Sequence, residues 1–478
     1  MVCLSSVDMK IKEIFGEESV FKSPKEYGVF SGYNLPSFVK DWLVKKFTDS
    51  YGDLDTEGLK SFLNEHIAHK GNRIKGTLIN DAHEMTILAR IIVEPDIKTG
   101  ILRFSIPDIN IKLNEGQIPP YVAKKFPELK GGEVWGVVKL AYVPPDKGQR
   151  GVIEIIEYKP FKPYVVDLDY FREKRKSFEI NEWMDVLIRS MEYNPEGFES
   201  VQQKLLFISR LFVFVEPNTN MIELAPKGTG KSYVFNNLSK YGWTVSGGVV
   251  SRAKLLYDIT RATPGLIKRY DYVALDEIET IKFTDSSELQ GALKNYLESG
   301  NFAVANYRGV SSAGFVLLGN IPLNENKLPT NSRYFSKLPK FFQDSALLDR
   351  FHGFVEGWKL PRMREDLKLN GHALNVEYFS EILHELRTVP DFSQVVTSLL
   401  EIPRNADTRD TKAIIKISTA LLKLLFPHVR HPSDISPRDF EIYCLRPAIN
   451  MRRIVRKQIS LIDSEFSDTI PDIRIKDT

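Results

Sequence analysis

The segment MIELAPKGTGKSYVFNNL, Met221 to Leu238, places a glycine-rich turn directly before a lysine and a hydroxyl residue. Gly228 and Gly230 allow the backbone to turn its N–H groups toward a phosphate. Lys231 is spaced to reach the β- and γ-phosphates, and Ser232 to hold Mg²⁺ through its hydroxyl. The residues predicted to surround the phosphates of ATP are Pro226, Lys227, Gly228, Thr229, Gly230, Lys231 and Ser232.

Ala225 departs from the usual spacing of such loops, G-x-x-x-x-G-K-[ST], because it stands where the first glycine is expected. The replacement adds one methyl group at a position where Pro226 already fixes the turn, so we expect the loop to tolerate it. The alternative is a chance match on a glycine-rich turn. The order of apolar strand, loop and helix around the segment favours a nucleotide site.

Asp276 and Glu277 form a second candidate pair, directly after the mainly apolar run Tyr272 to Leu275. A buried strand that ends in two carboxylates is suited to hold Mg²⁺ and to activate a water molecule for attack on the γ-phosphate. We expect Asp276 to act on Mg²⁺ and Glu277 to polarise the water. The alternative is that both acids only cap the following helix, which is infrequent after an apolar strand downstream of a phosphate loop.

Asn320 ends a third apolar run, GFVLLGN, which begins at Gly314. An amide at this position can orient the attacking water from a neighbouring strand, and this is the catalytic role predicted for it. Taken by itself, a turn-forming asparagine before Ile321 and Pro322 explains the residue better.

The elements that must position these residues follow from the spacing of apolar side chains. From Met221 to Trp358 strands and helices alternate, which predicts the α/β class with a parallel sheet and helices on both faces. The β-rich runs between Glu84 and Pro160 predict a small barrel or sandwich, with the OB type as one candidate. The predicted domains are an N-terminal domain with OB-like strands (1–165), a helical linker (166–215), an ATPase core (216–365) and a helical lid and tail (366–478).

The composition and the distribution of apolar residues argue against disulfide-rich, secreted and membrane-spanning classes of protein. The 478 residues carry a net charge of +3 and 42% are apolar, which is ordinary for a soluble chain and does not by itself indicate nucleic-acid binding. Cys3 and Cys444 are too few for a disulfide scaffold or a cysteine zinc site. The start lacks the apolar core of a signal peptide, and no run approaches the ~20 apolar residues of a membrane span. We expect a cytoplasmic protein without a membrane partner.

The motifs together resemble the BrxL family, the Lon-related proteins of BREX antiphage systems. The resemblance is carried by ELAPKGTGKSYVFNNLSKYGW, SGGVVSRAKLLYD, RYDYVALDEIETIKF, GALKNYLESGNF, NYRGV and GFVLLGNIP, and nearer the front by PSFVKDWLVKKF, GGEVWGVVKLAYVPP and DLDYFREKRKSF. It implies an AAA+ ATPase similar to the MCM replicative helicases, with an MCM-type collar as the N-terminal domain. The implied partners are double-stranded DNA and further copies of the chain, in a hexameric ring or two stacked rings, with other BREX proteins as further candidates.

The resemblance also implies further site residues. The segment LLDRFHGFVEGW matches the position of an arginine finger, so that Arg350 would reach the γ-phosphate bound by a neighbouring subunit, and ADTRDTKAI assigns Arg409 to a second-sensor helix. NFAVANYRGVSSAGF lies where MCM-like proteins carry a channel hairpin, with Tyr307 to Ser312 as its tip and Arg308 as its only charge. Without the resemblance, Arg350 and Arg409 are each better explained as a solvated or ion-paired surface group.

Two short basic runs are secondary candidates for DNA contacts. They are FREKRK, Phe171 to Lys176, and MRRIVRK, Met451 to Lys457. Each is most often a solvated face of one helix, but a ring would repeat it and could bring it to a channel. The residues concerned are Lys174, Arg175, Lys176, Arg452 and Arg453.

The sequence is thus interpreted as an ATP- and Mg²⁺-dependent ring motor or clamp on double-stranded DNA in phage defence. An ATP-driven protein unfoldase related to Lon is the alternative, and a nucleotide-gated DNA clamp with little turnover is a second one, against which Glu277 argues. Tyr307 and Arg308 adjoin in NYRGV, so the sequence leaves DNA and polypeptide open as the cargo. Longer relatives continue into a Lon-like peptidase domain with a Ser-Lys dyad; this sequence stops at DSEFSDTIPDIRIKDT, and we expect no peptidase activity from it.

Overall fold

The computed structural model describes residues 6–33, 35–49, 53–67, 72–82, 84–96, 99–130, 132–145, 150–160, 166–260 and 262–476. The chain divides into two compact units. The barrel unit comprises Lys25–Leu35 and Val39–Tyr164, and the sheet unit comprises Met1–Pro24, Pro36–Phe38 and Val165–Thr478. Among the helices in the described ranges, none is both long and apolar enough to cross a membrane.

The N-terminal segment belongs to the sheet unit. Helix α1 (Ser6–Phe15) is followed by strand β1 (Ser19–Lys22), which pairs antiparallel with Gly371–Leu374. The predicted N-terminal domain, residues 1–165, is therefore corrected at its start, because a long-range strand pairing that no local pattern reveals holds this segment. Its predicted end falls on residues outside the described ranges, and the boundaries at 215 and 365 stay predictions.

The barrel unit is built on five strands that close into a barrel. The strands are β2 (Glu84–Asp96), β3 (Ile101–Ile106), β4 (Ile111–Ile118), β5 (Gly132–Val143) and β6 (Val152–Pro160), and the helices from Pro24 onward are α2 (Pro24–Tyr27), α3 (Ser37–Phe47), α4 (Thr56–His66), α5 (Asn72–Thr77) and α6 (Pro120–Lys125). The order around the barrel is β2-β3-β4-β6-β5, and only β4 and β6 pair in parallel. Alternate residues of β2, among them Ile87 and Ile91, point into the buried core. A barrel and a sandwich were the two predicted architectures, and the structure has the barrel. The role of this unit as an MCM-type collar stays a prediction.

The sheet unit centres on a five-stranded sheet in which every neighbouring pair is parallel. The strands of the unit after β6 are β7 (Asn220–Ala225), β8 (Gly242–Ser246), β9 (Val249–Val250), β10 (Tyr257–Asp258), β11 (Thr263–Pro264), β12 (Tyr272–Asp276), β13 (Lys282–Phe283), β14 (Asn301–Val304), β15 (Tyr307–Val310), β16 (Gly314–Asn320), β17 (Gly353–Glu356), β18 (Gly371–Leu374), β19 (Leu400–Glu401) and β20 (Arg474–Ile475). The order across the central sheet is β17-β7-β16-β12-β8. Both β7 and β12 are buried along their whole length, as expected for a parallel sheet covered on both faces.

Helices surround this sheet and form most of the chain after it. They are α7 (Leu168–Arg175), α8 (Ile180–Ser190), α9 (Val201–Ile208), α10 (Phe212–Val215), α11 (Lys231–Asn237), α12 (Arg252–Leu255), α13 (Leu266–Arg269), α14 (Ser286–Ser299), α15 (Ser345–Leu348), α16 (Val376–Thr388), α17 (Asp391–Leu399), α18 (Thr408–Leu425), α19 (Pro437–Phe440) and α20 (Arg446–Ser460). Side chains with acceptor oxygens begin several of them; Asp407, for example, accepts the backbone N–H groups of Arg409 and Asp410 at the start of α18. The predicted α/β class with a parallel sheet is confirmed.

Because its strands are parallel, the sheet has all the carboxyl ends of the strands at one edge and all the amino ends at the other. The carboxyl ends of β7, β16 and β12 meet at one edge, where Asn320 is aligned with Ala225 across the β16–β7 ladder. Residues that follow these three strands therefore lie side by side. The amino ends of the same strands lie at the opposite edge, where Asn220 begins β7.

Candidate active site

The glycine-rich loop leaves the end of β7 and enters α11, as predicted. Gly228 and Gly230 have φ angles of +83° and +74°, in the left-handed region that favours glycine. A Cβ atom at Gly230 would also lie 1.8 Å from the hydroxyl oxygen of Tyr193, so a larger residue would clash there. Lys231 and Ser232 follow in the first turn of α11. The glycine-rich turn between strand and helix is therefore present where the sequence predicts it, and its binding of a phosphate stays a prediction.

Ala225 is accommodated by a glycine on another segment. Its side chain is fully buried at the end of β7, and a Cβ atom at Gly357 would lie 2.4 Å from its Cβ. The absence of a side chain at Gly357 thus provides the space for the methyl group that the usual loop pattern lacks. This packing explains why the loop keeps its course with alanine in the first position.

We expect Gly357→Ala to destabilise the sheet unit by about 1–3 kcal/mol, the usual cost of overpacking a core. Ala225→Gly should retain nucleotide binding. The double variant should recover part of the stability, because it removes the closest contact. Thermal unfolding and titration with a fluorescent ATP analogue measure both effects. Unchanged stability of Gly357→Ala would contradict this account of Ala225.

A buried ion pair is hydrogen-bonded to the backbone of the loop. Arg210 donates to both carboxylate oxygens of Glu223, at 3.0 and 2.6 Å, and to the carbonyl oxygen of Thr229 at 3.0 Å. The side chains of Arg210 and Glu223 are 0% and 2% exposed. A charge removed from water in this way is stable only when it is paired and hydrogen-bonded. Sequence reasoning missed this support, although a glutamate inside an apolar strand was a signal that a buried partner existed.

Lys231 lies in an environment suited to an anionic ligand. It is 7% exposed, and its Nζ donates a hydrogen bond to Oδ1 of Asn320 at 3.0 Å. The Nδ2 of Asn320 in turn donates to Glu279 at 2.5 Å. In the described part of the chain, the acceptor of the Lys231 hydrogen bond is thus an amide oxygen rather than a carboxylate. A buried ammonium group bonded to a neutral amide fits the phosphates of a nucleotide, and the contact joins two residues that were predicted separately.

Asp276 and Glu277 occupy the same edge of the sheet. Asp276 ends β12, is 4% exposed and accepts the backbone N–H of Glu277 at 2.9 Å. Glu277 is exposed and has a φ angle of +49°, a left-handed conformation that is uncommon for glutamate. Strained backbone of this kind is concentrated at functional sites. The tight turn keeps the carboxylate of Glu277 in solvent, where a water molecule can reach it.

The donor set fits Mg²⁺ bound together with a nucleotide. Mg²⁺ is held through one or two carboxylates, with phosphate oxygens and water completing its ligands. Asp276 supplies such a carboxylate and Ser232 a hydroxyl. The described residues contain no group of three or more His, Cys, Asp or Glu side chains arranged to hold a metal by themselves. The site therefore fits a cation that arrives with the triphosphate.

Arg350 and Arg409 lie together, away from this edge. The Nε of Arg409 is 2.9 Å from Oε2 of Glu298, and the Nε of Arg350 is 3.4 Å from the same oxygen. The carbonyl oxygen of Arg350 accepts a hydrogen bond at 3.1 Å from the side chain of Asn220, the first residue of β7. Both arginines are thus placed at the amino-terminal edge of the sheet, opposite the loop that follows Ala225.

The predicted hairpin is present, but its tip is different. Strands β14 and β15 pair from Asn301↔Val310 to Val304↔Tyr307, so the turn consists of Ala305 and Asn306. The predicted tip, Tyr307 to Ser312, is corrected, since Tyr307 to Val310 form the second strand. Arg308 remains exposed on the outer face of the hairpin.

Two of the secondary DNA candidates are corrected because they are buried. Arg175 donates to the carbonyl oxygens of Leu425 and Phe178, at 2.8 and 2.6 Å, and burial lowers its pKa to about 10. The 0% exposed side chain of Arg452 donates to Asp349 and Asp410, at 2.6 Å each. Neither guanidinium group is available to DNA.

The other secondary candidates stay accessible to different degrees. The ammonium group of Lys174 lies 4.9 Å from the ring centre of Tyr170, and that of Lys176 lies 2.8 Å from Glu173. Arg453 is exposed, and its guanidinium group bonds only to Asn450, at 2.9 Å, among the described residues. Of this set, Arg453 is the cation least neutralised by the protein itself.

Comparison with known families agrees with this geometry. The family model described as Lon-like protease BrxL-like, ATPase domain, matches residues 153–472. A second, described as BREX system Lon protease-like protein BrxL N-terminal, matches residues 13–142. The chain belongs to the BrxL family. The resemblance inferred from the motifs is thereby confirmed, and the matched ATPase domain contains the loop, Asp276, Glu277 and Asn320.

Two curated relatives carry the name Lon-like protease BrxL. The protein of Escherichia coli O9:H4 (strain HS) is 28% identical over 444 residues, which cover 91% of this chain and 62% of that protein. The protein of Bacillus cereus (strain H3081.97) is 31% identical over 447 residues, which cover 91% of this chain and 64% of that protein. The chain therefore spans less than two thirds of the length of these BrxL relatives.

Proposed function

We propose that this BrxL-family chain is an ATP- and Mg²⁺-dependent AAA+ motor or clamp that assembles as a ring around double-stranded DNA in BREX-type phage defence. One observation carries the proposal. The phosphate loop and the Arg350–Arg409 pair occupy opposite edges of one sheet. At about 3.3 Å per residue, the strand between these edges is roughly 17 Å long, beyond the reach of an arginine side chain. A site completed by Arg350 would therefore need a second subunit, and a repeated head-to-tail contact whose rotation closes gives the proposed ring.

Each residue has a distinct task in hydrolysis at such a site. Bound Mg²⁺–ATP supplies the γ-phosphoryl group and the cation that neutralises part of its charge. Lys231 would bind phosphate oxygens, with its ammonium group held in place by Asn320. Asp276 and Ser232 would hold the cation. Glu277 orients and polarises the attacking water, and Arg350 of the adjacent subunit neutralises the charge that develops.

The hairpin supports DNA as the cargo. The ring of Tyr307 is stacked on that of Tyr257, with centroids 3.6 Å apart and planes at 3°. The half-buried aromatic side chain that would grip a polypeptide is thus already stacked on a second ring of the same chain. Arg308 lies on the opposite, exposed face of β15. A repeated exposed arginine fits a phosphate backbone, whose contacts carry little sequence preference.

The rival function is a protein unfoldase. Val310, on the same hairpin face as Arg308, is 61% exposed and is the observation that favours a polypeptide. The name Lon-like protease of the relatives points in the same direction. A DNA clamp with little turnover is the remaining alternative, and the exposed, strained Glu277 argues against it.

Arg308→Ala should weaken duplex binding on unrelated sequences to a similar extent. Each phosphate that a cation neutralises contributes about −0.9 to the slope of log affinity against log salt, so the slope should flatten by that amount for each phosphate that Arg308 binds. The measurement is a salt titration with two unrelated duplexes in the presence of a non-hydrolysable ATP analogue. Lys337→Ala, which removes an exposed cation outside the hairpin, is the matched control.

The same titration decides between the cargoes. If Arg308→Ala keeps both the affinity and the slope of the wild type, the hairpin is not the DNA contact. If the wild type binds no duplex at low salt with nucleotide present, the DNA motor is wrong and the unfoldase takes its place.

A further inference from the structure

Glu298 is the carboxylate that Arg350 and Arg409 share. It lies one residue before the end of α14, and its side chain is 35% exposed. Its Oε2 is 2.9 Å from Nε of Arg409 and 3.4 Å from Nε of Arg350, and its Oε1 is 3.8 Å from Nζ of Lys412. One partly solvated carboxylate thus faces three cations.

The two arginines are held with different strength. Arg409 also binds Asp349, with NH1 2.9 Å from Oδ2 of that carboxylate. Arg350 has no carboxylate other than Glu298 within 4.0 Å among the described residues. Its Nε atom is buried and makes no hydrogen bond there. The contact of Arg350 with Glu298 is therefore loose, and a better anion would replace it.

The hairpin formed by β14 and β15 follows Glu298 closely in the chain. Two residues after Glu298, Gly300 follows the end of α14 with a φ angle of +77°, and β14 begins at the next residue. The backbone N–H of Ser311 donates to the carbonyl oxygen of Gly300 at 2.9 Å, which closes the base of the hairpin. A Cβ atom at Gly300 would lie 2.6 Å from the carbonyl oxygen of Ser311, so the two backbones are in direct contact. A shift of the last turn of α14 must move the hairpin.

We propose that Glu298 is a positioning residue that couples the nucleotide bound by the adjacent subunit to the hairpin of its own subunit. When no triphosphate is bound at the site of the adjacent subunit, Glu298 holds Arg350 and Arg409 and fixes the end of α14. A γ-phosphate at the neighbouring site attracts both guanidinium groups, releases Glu298 and allows the hairpin to change position. This proposal rests on the proposed function, since it requires a ring in which Arg350 faces another subunit.

The surrounding contacts specify which part moves. Lys412 also donates to the backbone carbonyl oxygen of Glu298, so α18 contacts both the backbone and the side chain of this residue. Asp349 is bonded to Arg452 at 2.6 Å inside the protein and stays in place. The exchange is therefore confined to Glu298, the two arginines and the end of α14.

A cysteine at the hairpin tip reports the movement. Asn306→Cys is introduced together with Cys3→Ser, while the buried Cys444 is left in place. The rate of thiol labelling is compared with ADP and with a non-hydrolysable ATP analogue, and steady-state ATP hydrolysis is measured in parallel. We expect the two nucleotides to give labelling rates that differ several-fold in this background. Adding Glu298→Gln should bring the ratio close to one, and Glu298→Asp should restore part of it.

The control is Glu288→Gln, which removes a carboxylate from the same helix that pairs with Arg252 instead. It should keep the nucleotide-dependent ratio. A ratio that Glu298→Gln leaves unchanged, or a ratio of one in an Asn306→Cys, Cys3→Ser protein that hydrolyses ATP, overturns the coupling and leaves the proposed function standing. A wild type that hydrolyses no ATP overturns the proposed function, and this inference with it.

Discussion

Glu277→Gln should retain ATP binding and lose hydrolysis by about 10²- to 10⁴-fold, the range that a positioned general base contributes. The amide has the size of the carboxylate but cannot take a proton from the attacking water. In the strained turn, the backbone N–H of Glu277, not its side chain, donates to the carboxylate of Asp276, so the fold should be unaffected. Steady-state hydrolysis and titration with a fluorescent ATP analogue give the two quantities.

Two further variants are measured beside Glu277→Gln, one expected to lose nucleotide binding and one expected to behave as wild type. Lys231→Ala should lose nucleotide binding itself, because it removes the buried ammonium group that faces the phosphates. Glu325→Gln, the same substitution at an exposed carboxylate that has no role in the proposed reaction, should behave as wild type. Hydrolysis at the wild-type rate in Glu277→Gln would remove this residue from catalysis.

The placement of Lys231, Asp276 and Asn320 could be predicted because it depends on local order and on one property of the fold. Lys231, Asp276 and Asn320 each follow a short apolar strand. In a parallel sheet the ends of such strands share an edge, so the bond between Lys231 and Asn320 follows from topology. The strand order itself, in which β16 lies between β7 and β12, is a long-range property that the motifs do not contain.

The buried arginines show where local patterns fail. Met451 and Val455 of MRRIVRK, together with Ile459 beyond it, mark the buried side of α20, and Arg452 lies beside them. The pattern indicated an ordinary amphipathic helix with basic residues on its solvent face. Arg452 is nevertheless buried, because Asp349 and Asp410, 103 and 42 residues away, neutralise it. Pairings over such separations leave no trace in the helix itself.

The hairpin tip was misplaced for a different reason. The resemblance gave the position of the hairpin but not its register. The alternation of Phe302 and Val304, which are buried, with exposed neighbours indicates a strand up to Val304. Asn306 is a common turn residue. These local signals were sufficient to place the turn two residues earlier.

Arg350→Ala should reduce ATP hydrolysis by about 10³- to 10⁵-fold, the range typical of an arginine finger. ATP binding should be nearly unchanged, because Arg350 lies at the opposite edge of the sheet from its own phosphate loop. Mixing Arg350→Ala with Lys231→Ala subunits should restore part of the activity. Interfaces then form in which the loop of the first variant faces the intact Arg350 of the second.

A second mixture makes the test specific to the trans assignment. Glu277→Gln and Lys231→Ala both damage the nucleotide side of the site, so no interface between them is complete and the mixture should stay inactive. Native mass spectrometry establishes that mixed rings form in both cases. If the Arg350→Ala mixture also stays inactive in mixed rings, Arg350 does not act across the interface. The position of Arg350 beside Asn220 would then serve packing alone, since the length of β7 prevents a role at its own phosphate loop.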